Sequence, residues 1–154
     1  MSLKREIEVF DNVGISAETG ETDVWDKVIF PETVRGREVD QILKLALKVQ
    51  PENILDFGCG VGRLTRAWAP YAGSITGIDI AEEMVRLGKE LNQDVSNVVL
   101  VLNQHADLRG IADSSIELVF SHICLQHMPF NLAAEYIGEF ARVVRPGGYT
   151  PAYQ

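Results

Sequence analysis

The chain has few cysteines, no excess of positive charge and no long apolar run. Its 154 residues include two cysteines, and two thiols outside a CxxC pair are typical of a reducing compartment rather than of a disulfide scaffold. The net charge of −8 argues against duplex nucleic acid or an anionic membrane surface as the main partner. No run approaches the ~18 apolar residues of a membrane span. We therefore expect a cytoplasmic protein with no nucleic-acid or membrane partner.

The remaining composition, 46% hydrophobic without repeats or low-complexity segments, is that of one globular domain. Apolar runs predict strands at 54–57, 74–80, 98–102 and 115–121, and helical periodicity predicts helices near 33–48, 81–92 and 131–144. This alternation predicts an α/β fold with a doubly wound, mostly parallel sheet. Strand 98–102, apolar throughout, is expected to be covered on both faces. The inward-facing residues of the last two helices are predicted to be Met84, Val85, Leu87, Leu91, Leu132, Ile137, Phe140, Val143 and Val144.

A glycine turn follows the first predicted strand. Gly58, Gly60 and Gly62 alternate with other residues, so backbone can approach a ligand there without Cβ atoms in the way. A helix is predicted to begin at Arg63, and the unpaired N–H groups and the dipole at a helix N-terminus favour a nucleotide-like ligand. The second strand ends in an acid, Asp79. In a doubly wound sheet this acid lies beside the first glycine turn and can bind both hydroxyls of a ribose. The two motifs together predict a nucleoside-cofactor site.

Two alternatives compete with this interpretation. A dinucleotide fingerprint, and hence a nicotinamide-dependent oxidoreductase, would need a small residue where this chain has Arg63. A tight turn without any ligand would not need three glycines, which cost backbone entropy. With Asp56 directly before the glycines, the pattern resembles instead the first motif of class I S-adenosylmethionine-dependent methyltransferases.

The resemblance extends from about residue 51 to residue 148. It includes the segments 77–84 at the second strand, 113–119 before the fourth, 121–129 after the fourth, and 142–148 before the fifth. Within the last of these, residues 145–148 are expected to stop a helix and lead into strand five. The resemblance implies a three-layer Rossmann-like fold with S-adenosylmethionine as the cofactor. It also implies a small-molecule methyl acceptor, because segment 121–129 resembles the small-molecule branch of the family.

The resemblance also implies roles for individual residues. Asp56, Gly58 and Gly60 would line the methionine moiety, Asp79 would bind the ribose, and Ile80 and Met84 would pack against adenine. The residue that reads the adenine edge is usually an acid after strand three, and here Gln104 stands in that place; Asp107 is the alternative reader, or an N-cap or loop residue. The binding set is completed by Cys59, expected to be a small packing residue rather than a nucleophile, and by His105 and Ser121.

Two histidines, His122 and His127, follow strand four, at the carboxyl edge where open α/β sheets bind ligands. Methyl transfer from a sulfonium depends mostly on alignment, but a weak hydroxyl or amine acceptor benefits from a base, for which histidine is suited. The resemblance favours His127 over His122 as that base; a histidine that holds the loop is the alternative. A metal site formed by these histidines with Cys124 and His105 lacks the usual ligand spacing, so no metal is expected.

The two ends of the chain carry separate expectations. Residues 1–32 are predicted to form an N-terminal arm or lid, in which residues 24–30 pack over the cofactor mouth or simply in the core. Residues 33–154 are predicted to form the cofactor-binding domain. It would lack the usual C-terminal strands because the sequence stops within strand five, where Pro151 is awkward. The chain is then a fragment, or a partner copy in a homodimer covers this edge. A truncated, inactive module that binds S-adenosylmethionine or S-adenosylhomocysteine is the alternative to an active methyltransferase.

Overall fold

A computed structural model describes residues 44, 48–150 and, for the backbone, 152–153. The predicted arm and most of the predicted helix 33–48 lie outside the described residues. Lys44, Lys48 and Val49 are helical, and the helix has ended before Pro51, as predicted from the proline. Among the described residues no helix is both long and apolar enough to cross a membrane.

Strands and helices alternate along the described chain. In chain order they are β1 (Asn53–Phe57), α1 (Arg63–Trp68), β2 (Ser74–Asp79), α2 (Glu82–Leu91), β3 (Val98–Leu102), β4 (Ile116–His122), α3 (Phe130–Val143), β5 (Val144–Tyr149) and β6 (Ala152–Tyr153). Two short 3-10 helices, Ala69–Tyr71 and Leu125–His127, lie in the connections. The predicted elements from β1 to α3 are therefore present, with boundaries that differ by at most one residue, whereas β5 begins earlier than predicted.

The described strands form one parallel sheet in the order β3-β2-β1-β4-β5. The two-residue strand β6 also pairs with β4, opposite Ser121 and His122. The strand order changes direction between β1 and β4, and a crevice opens at the carboxyl ends of the strands at such a point. The predicted doubly wound α/β fold is confirmed.

Each face of the sheet is covered by a separate apolar cluster. On one face Ile54 of β1 packs with Trp68 of α1, whose ring centroid lies 6.0 Å from that of Phe120. On the other face Leu55 packs in a cluster with α3, including Phe140. Because neighbouring residues of a strand point to opposite faces, Ile54 supplies one cluster, and Leu55 and Phe57 supply the other. Helix, sheet and helix thus form the three expected layers.

Four apolar residues predicted to be buried are exposed instead. Val99 and Val101 are 53% and 40% exposed, because β3 is the last strand at its edge of the described sheet and only the face with Leu100 is covered. Leu91 is 51% exposed at the end of α2. Ile137 is 56% exposed, since it lies one position past Tyr136, off the buried stripe. The prediction of a strand β3 covered on both faces is wrong for the described residues.

The passage from α3 to β5 also differs from the prediction. Val144, expected at the end of the helix, is the first residue of β5, and the segment expected to stop the helix lies within that strand. The pairing with β4 shifts register between Ile116 and Leu118. Gly147 has φ of 82°, a left-handed conformation that glycine adopts without strain. The turn expected between α3 and β5 is therefore present as an irregularity within β5.

Candidate functional site

A cavity of about 360 Å³ lies at the carboxyl ends of β1, β2 and β4. Its volume falls within the range of small-molecule sites, about 300–1,000 Å³. It is lined by Asp56, Phe57, Gly58, Cys59, Gly60, Val61, Arg63, Leu64, Ile78, Asp79, Ile80, Met84, Asn103, His122, Ile123, Cys124, His127, Met128 and Tyr136. The cavity therefore brings together the glycine turn, the acid that ends β2 and the loop after β4.

The glycine turn has a fixed backbone. Gly58 and Cys59 both donate their N–H groups to the carbonyl oxygen of Ile78, at 2.9 and 3.0 Å. Gly58, Gly60 and Gly62 have φ of 75°, 55° and 77°, so three residues in five adopt the left-handed conformation that other L-residues rarely take. This explains, in backbone terms, the spacing that the sequence shows.

The glycines differ in what surrounds them. A Cβ on Gly58 would lie 2.3 Å from Cys124 Sγ, so Gly58 is required for packing. Gly60 lines the cavity, and a Cβ on Gly60 would have no heavy atom within 4 Å. The main chain at Gly60 is thus open to a ligand that lies across it.

Asp79 connects β2 to this turn. Its Oδ2 accepts a hydrogen bond from the N–H of Gly60 at 2.7 Å, and its Oδ1 accepts one from the N–H of Ala81 at 2.9 Å. A carboxylate has about four acceptor positions, so holding two amides is compatible with accepting hydrogen bonds from ligand hydroxyls. The predicted proximity of the acid and the glycine turn is observed.

Asp56 is buried at the end of β1. It is 2% exposed, and its Oδ2 accepts a hydrogen bond from Thr65 Oγ1 at 2.7 Å. Burial raises the pKa of Asp56 to about 6, with a smaller contribution from Asp79, while the Thr65 hydroxyl and the charge of Arg63 act in the opposite direction. A carboxylate that is costly to ionise in this way favours a cationic ligand group beside it.

Cys59 lies inside the turn, and its surroundings disfavour a reactive thiolate. Burial, followed by the charges of Asp56 and Asp79, raises the pKa of the Cys59 thiol well above its ordinary value. A thiol that stays protonated is a poor nucleophile. Sγ lies 3.5 Å from the carbonyl oxygen of Gly60, and a Cβ on Gly77 would lie 3.0 Å from it. These contacts fit the expected packing role.

The loop after β4 brings both histidines to the cavity. The ring of His122 stacks on Phe120 at a centroid distance of 6.3 Å and an interplanar angle of 10°. His127 is exposed in the 3-10 turn, and its N–H donates to the carbonyl oxygen of Cys124. Ile123 between them has φ of 53°, which is strained for a β-branched residue, and such strain concentrates at functional sites.

Three residues predicted for the cofactor site do not line the cavity. Gln104 and His105 are exposed in the loop after β3. Ser121 is 4% exposed within β4, where it is paired with Phe57. The alternative reader, Asp107, does not line the cavity either. It forms an ion pair with Arg109 at 2.8 Å, and hydrogen bonding to that guanidinium lowers the pKa of Asp107 to about 2.

Asn103 and Tyr136 are among the lining residues that were not predicted from the sequence. Asn103 precedes Gln104, and its N–H donates to the carbonyl oxygen of Asp79 at 2.8 Å, so the end of β3 presents this residue instead. Tyr136 comes from α3, where its hydroxyl donates to the carbonyl oxygen of His105 at 2.5 Å. Helical spacing from Leu132 could have marked Tyr136 as buried, but no local signal indicates its place at the cavity.

Three charged side chains among the described residues determine the electrostatics of the cavity. Of the described residues in its lining, Asp56 and Asp79 are carboxylates and Arg63 is a guanidinium. No group of three or more His, Cys, Asp or Glu side chains suited to a metal ion occurs among the described residues. An adenosyl ligand with an amino-acid end fits this donor set: open backbone at Gly60, an acid for hydroxyls, and a buried acid beside a cation.

Comparison with known proteins identifies the family. Residues 55–150 match a methyltransferase domain family. A demethylmenaquinone methyltransferase of Staphylococcus aureus is 37% identical over 97 residues, which cover 61% of this chain and 39% of the relative. The YcgJ protein of Bacillus subtilis superposes with a TM-score of 0.67 at 24% identity, over 75% of this chain and 49% of that one.

A third similar protein is the phosphoethanolamine N-methyltransferase 1 of Haemonchus contortus, solved with phosphoethanolamine and S-adenosylhomocysteine. It superposes with a TM-score of 0.70 at 18% identity, over 97% of this chain and 32% of that one. This chain thus spans less than half the length of each of the three proteins. The family match nevertheless covers more than half of this chain. The chain therefore belongs to the methyltransferase domain family, and the resemblance of its motifs to class I S-adenosylmethionine-dependent methyltransferases is confirmed.

Proposed function

We propose that this chain binds S-adenosylmethionine in the cavity between the glycine turn and Asp79, and that it transfers the methyl group to a small-molecule acceptor. The observation that carries the proposal is the hydrogen bond from the Gly60 N–H to Asp79 Oδ2. It joins a ligand-accessible stretch of main chain to a carboxylate within one cavity. The family match supports the activity, and the S-adenosylhomocysteine bound in the Haemonchus contortus enzyme supports the cofactor.

Each end of the proposed cofactor has residues suited to it. Asp79 accepts hydrogen bonds from the ribose hydroxyls, and Ile80 and Met84, both in the cavity lining, supply apolar contact for the base. Asp56 lies at the end of the cavity where the glycine turn begins and attracts the ammonium group. When bound, the cofactor supplies an electrophilic methyl group on a sulfonium. The chain contributes a fixed position and a site from which bulk water is displaced, so alignment with the acceptor does most of the catalysis.

His127 is the residue best placed to act on the acceptor. It lines the cavity and is exposed, so an acceptor that enters the cavity can reach its ring. Histidine changes charge near neutral pH and can remove a proton from a hydroxyl or amine nucleophile. His122, stacked on Phe120, is more restricted and serves better as a wall of the site.

The methyltransferase family match favours transfer over the alternative of an inactive binding module. Two further expectations remain proposals. One is a second copy of the chain covering the outer edge of β5, which has no neighbouring strand among the described residues. The other is a cytoplasmic location. It is supported by Cys59 and Cys124, which are both free thiols. Light scattering measures the oligomeric state, and fractionation of the host cell measures the location.

The proposal is tested by calorimetry and by transfer of a labelled methyl group. We expect S-adenosylmethionine and S-adenosylhomocysteine to bind with dissociation constants far below about 1 mM. Transfer is measured with demethylmenaquinone and phosphoethanolamine, the acceptors named in similar proteins, and with simple phenols and amines. The control variant, Asp94→Asn, changes a carboxylate that is 62% exposed and paired with Arg66, and it keeps binding intact. Absence of binding at about 1 mM of either ligand would refute the proposal.

A further inference from the structure

The charged groups in the described lining of the cavity all come from its β1 and β2 side. Asp56 lies in β1, Arg63 begins α1 and Asp79 ends β2. Strand β4 borders β1 on the side opposite β2. From β4 onward the lining consists of His122, Ile123, Cys124, His127, Met128 and Tyr136. None of these is Asp, Glu, Lys or Arg, so the β4 side of the described cavity carries no permanent charge.

This uncharged side limits the kind of acceptor that can lie there. A phosphate or carboxylate needs a guanidinium or an ammonium as its partner, and an ammonium needs a carboxylate. An unpaired charge is costly to remove from water. A phenol is neutral at neutral pH, because its pKa is about 10, and the ring of His127 can accept its proton. Phe57 and Tyr136, also in the lining, offer ring surfaces to an aromatic acceptor.

Three apolar residues continue the uncharged side to the surface. Ile123 lines the cavity and is 49% exposed, so its side chain belongs to the mouth of the cavity. Met128 is a half-buried lining residue. Phe130 follows two positions later, which places its Cα within about 7 Å of that of Met128, and it is 90% exposed. We call Ile123, Met128 and Phe130 the apolar lip.

The backbone of Ile123 gives independent support for a function of the lip. Its φ of 53° is left-handed, and a β-branched residue adopts that conformation only at a cost. Asparagine or glycine would adopt it readily. Core packing does not account for an isoleucine at this position, because the side chain is half exposed. Such a strained residue at a ligand cavity points to a use for its side chain.

We propose that the β4 side of the cavity and the apolar lip select a neutral aromatic hydroxyl compound with an apolar substituent. Its hydroxyl lies beside His127, and its substituent lies on Ile123, Met128 and Phe130. The inference rests on the proposed function, because it names the acceptor class of the same cavity. The three residues of the lip then determine specificity. A longer apolar substituent strengthens binding, and a charge on the substituent weakens it.

The experiment measures, by calorimetry, the binding of phenols to the chain saturated with S-adenosylhomocysteine. The probes are 4-ethylphenol, 4-hexylphenol and two charged analogues of the first, 4-(2-aminoethyl)phenol and 4-hydroxyphenylacetate. We expect 4-hexylphenol to bind at least about tenfold more tightly than 4-ethylphenol, because the added methylenes are removed from water on the lip. Both charged analogues are expected to bind at least about tenfold more weakly than 4-ethylphenol.

Two variants test the lip itself. Phe130→Ser is expected to weaken binding of 4-hexylphenol by at least about fivefold and to change binding of 4-ethylphenol by less than about twofold. Ile123→Asn is expected to weaken binding of 4-hexylphenol by about tenfold. Because asparagine relieves the backbone strain, the urea midpoint of Ile123→Asn is expected to equal or exceed that of the wild type. A loss of affinity without a loss of stability excludes a merely structural role for Ile123.

The matched control is Ile137→Ser, since Ile137 is 56% exposed on the same helix as Phe130 and does not line the cavity. It is expected to bind both alkylphenols as the wild type does. Equal affinity of the wild type for 4-ethylphenol and 4-hexylphenol, or equal effects of Phe130→Ser and Ile137→Ser, would overturn the inference and leave the proposed function standing. So would the absence of phenol binding to the saturated chain. Failure of the wild type to bind S-adenosylhomocysteine would overturn both.

Discussion

Asp79 Oδ2 accepts a hydrogen bond of 2.7 Å from the N–H of Gly60, nineteen residues earlier in the chain. The acid that ends β2 therefore holds the glycine turn after β1 in place, and it faces the same cavity as that turn. Fold and site depend on one contact here, because a change at Asp79 affects both the ligand hydroxyls and the conformation of the main chain that the ligand crosses.

The glycines of the turn are predicted to respond differently to alanine. Gly58→Ala places a Cβ 2.3 Å from Cys124 Sγ and 2.6 Å from Cys124 Cβ, so we expect the free energy of unfolding to fall by more than about 2 kcal/mol. Gly60→Ala meets no atom and costs about 1–2 kcal/mol of backbone strain, but its methyl group enters the ligand space. Urea unfolding measures the first effect, and calorimetry with S-adenosylhomocysteine measures the second.

The control for this pair is Gly138→Ala within α3, where a Cβ also meets nothing. Alanine is favoured over glycine in a helix by about 0.8–1 kcal/mol, so this variant is expected to be more stable and to bind the ligand unchanged. Equal losses of affinity in Gly60→Ala and Gly138→Ala would contradict the assignment of Gly60 to the ligand path.

The ionisation of Asp56 is predicted to make stability fall as the pH rises from about 4 to about 6. Burial raises the pKa of this group to about 6 in the folded state, above about 3.9 in the unfolded chain. The folded state therefore holds more protons in that window, and its stability decreases by on the order of 3 kcal/mol across it. Asp56→Asn is expected to lack this decrease. Urea titrations at several pH values measure the difference between the two proteins, and identical slopes would count against a buried, titrating Asp56.

Binding of the ligand ammonium is predicted to follow the same ionisation with the opposite sign. Between pH 5 and 7 Asp56 becomes charged, since its pKa is raised to about 6, and its attraction for a cation grows. In the wild type the affinity for S-adenosylhomocysteine is expected to rise by about tenfold over this range, because the ionised fraction of Asp56 rises by about that factor. In Asp56→Asn the affinity is expected to stay constant. Calorimetry at each pH measures both. A flat profile in the wild type would separate Asp56 from the ammonium.

Tyr136 is predicted to hold the loop after β3 in place. Its hydroxyl donates to the carbonyl oxygen of His105, while its ring packs 4.5 Å from that of Phe57. Tyr136→Phe removes the first contact and keeps the second, so we expect a loss of about 1 kcal/mol and faster amide exchange at 104–107. The control Tyr71→Phe changes a ring that is 37% exposed. If exchange in the loop stays the same in both variants, the loop is held by other contacts.

His127 is predicted to affect turnover and not cofactor affinity. It reaches the cavity from the exposed 3-10 turn, and removal of a general base usually costs about 10²–10⁴-fold in rate. His127→Ala is expected to lower kcat within that range with the acceptor that the chain methylates, and to leave binding of S-adenosylhomocysteine unchanged. The control is Glu135→Ala, because Glu135 is exposed on α3 and does not line the cavity. An unchanged kcat in His127→Ala would assign this histidine to the structure of the loop.

The sequence predicts this fold well where the signals are local. The segment from Ile54 to Asp79 contains two apolar strands, a glycine turn and a helix, and each is determined by residues a few positions apart. The place of Asp79 beside Gly60 follows from the doubly wound topology alone. Of the positions predicted for the site, nine line the cavity: Asp56, Gly58, Cys59, Gly60, Asp79, Ile80, Met84, His122 and His127.

The parts that could not be predicted depend on distant contacts. Asn103 rather than Gln104 faces the cavity because the N–H of Asn103 is bonded to Asp79, which sets where β3 ends. Tyr136 reaches the site through a bond to a residue 31 positions away. The exposure of Val99 follows from the edge position of β3, and an apolar run alone does not distinguish an edge strand from a central one.

The most direct test of the central claim is the dissociation constant of S-adenosylhomocysteine for Asp79→Ala, measured by calorimetry beside the wild type and Asp94→Ala. Asp79 lines the cavity and anchors the glycine turn, whereas Asp94 is an exposed carboxylate paired with Arg66. We predict a loss of affinity of at least about tenfold in Asp79→Ala and none in Asp94→Ala. An Asp79→Ala protein that binds the ligand as tightly as the wild type would contradict this prediction.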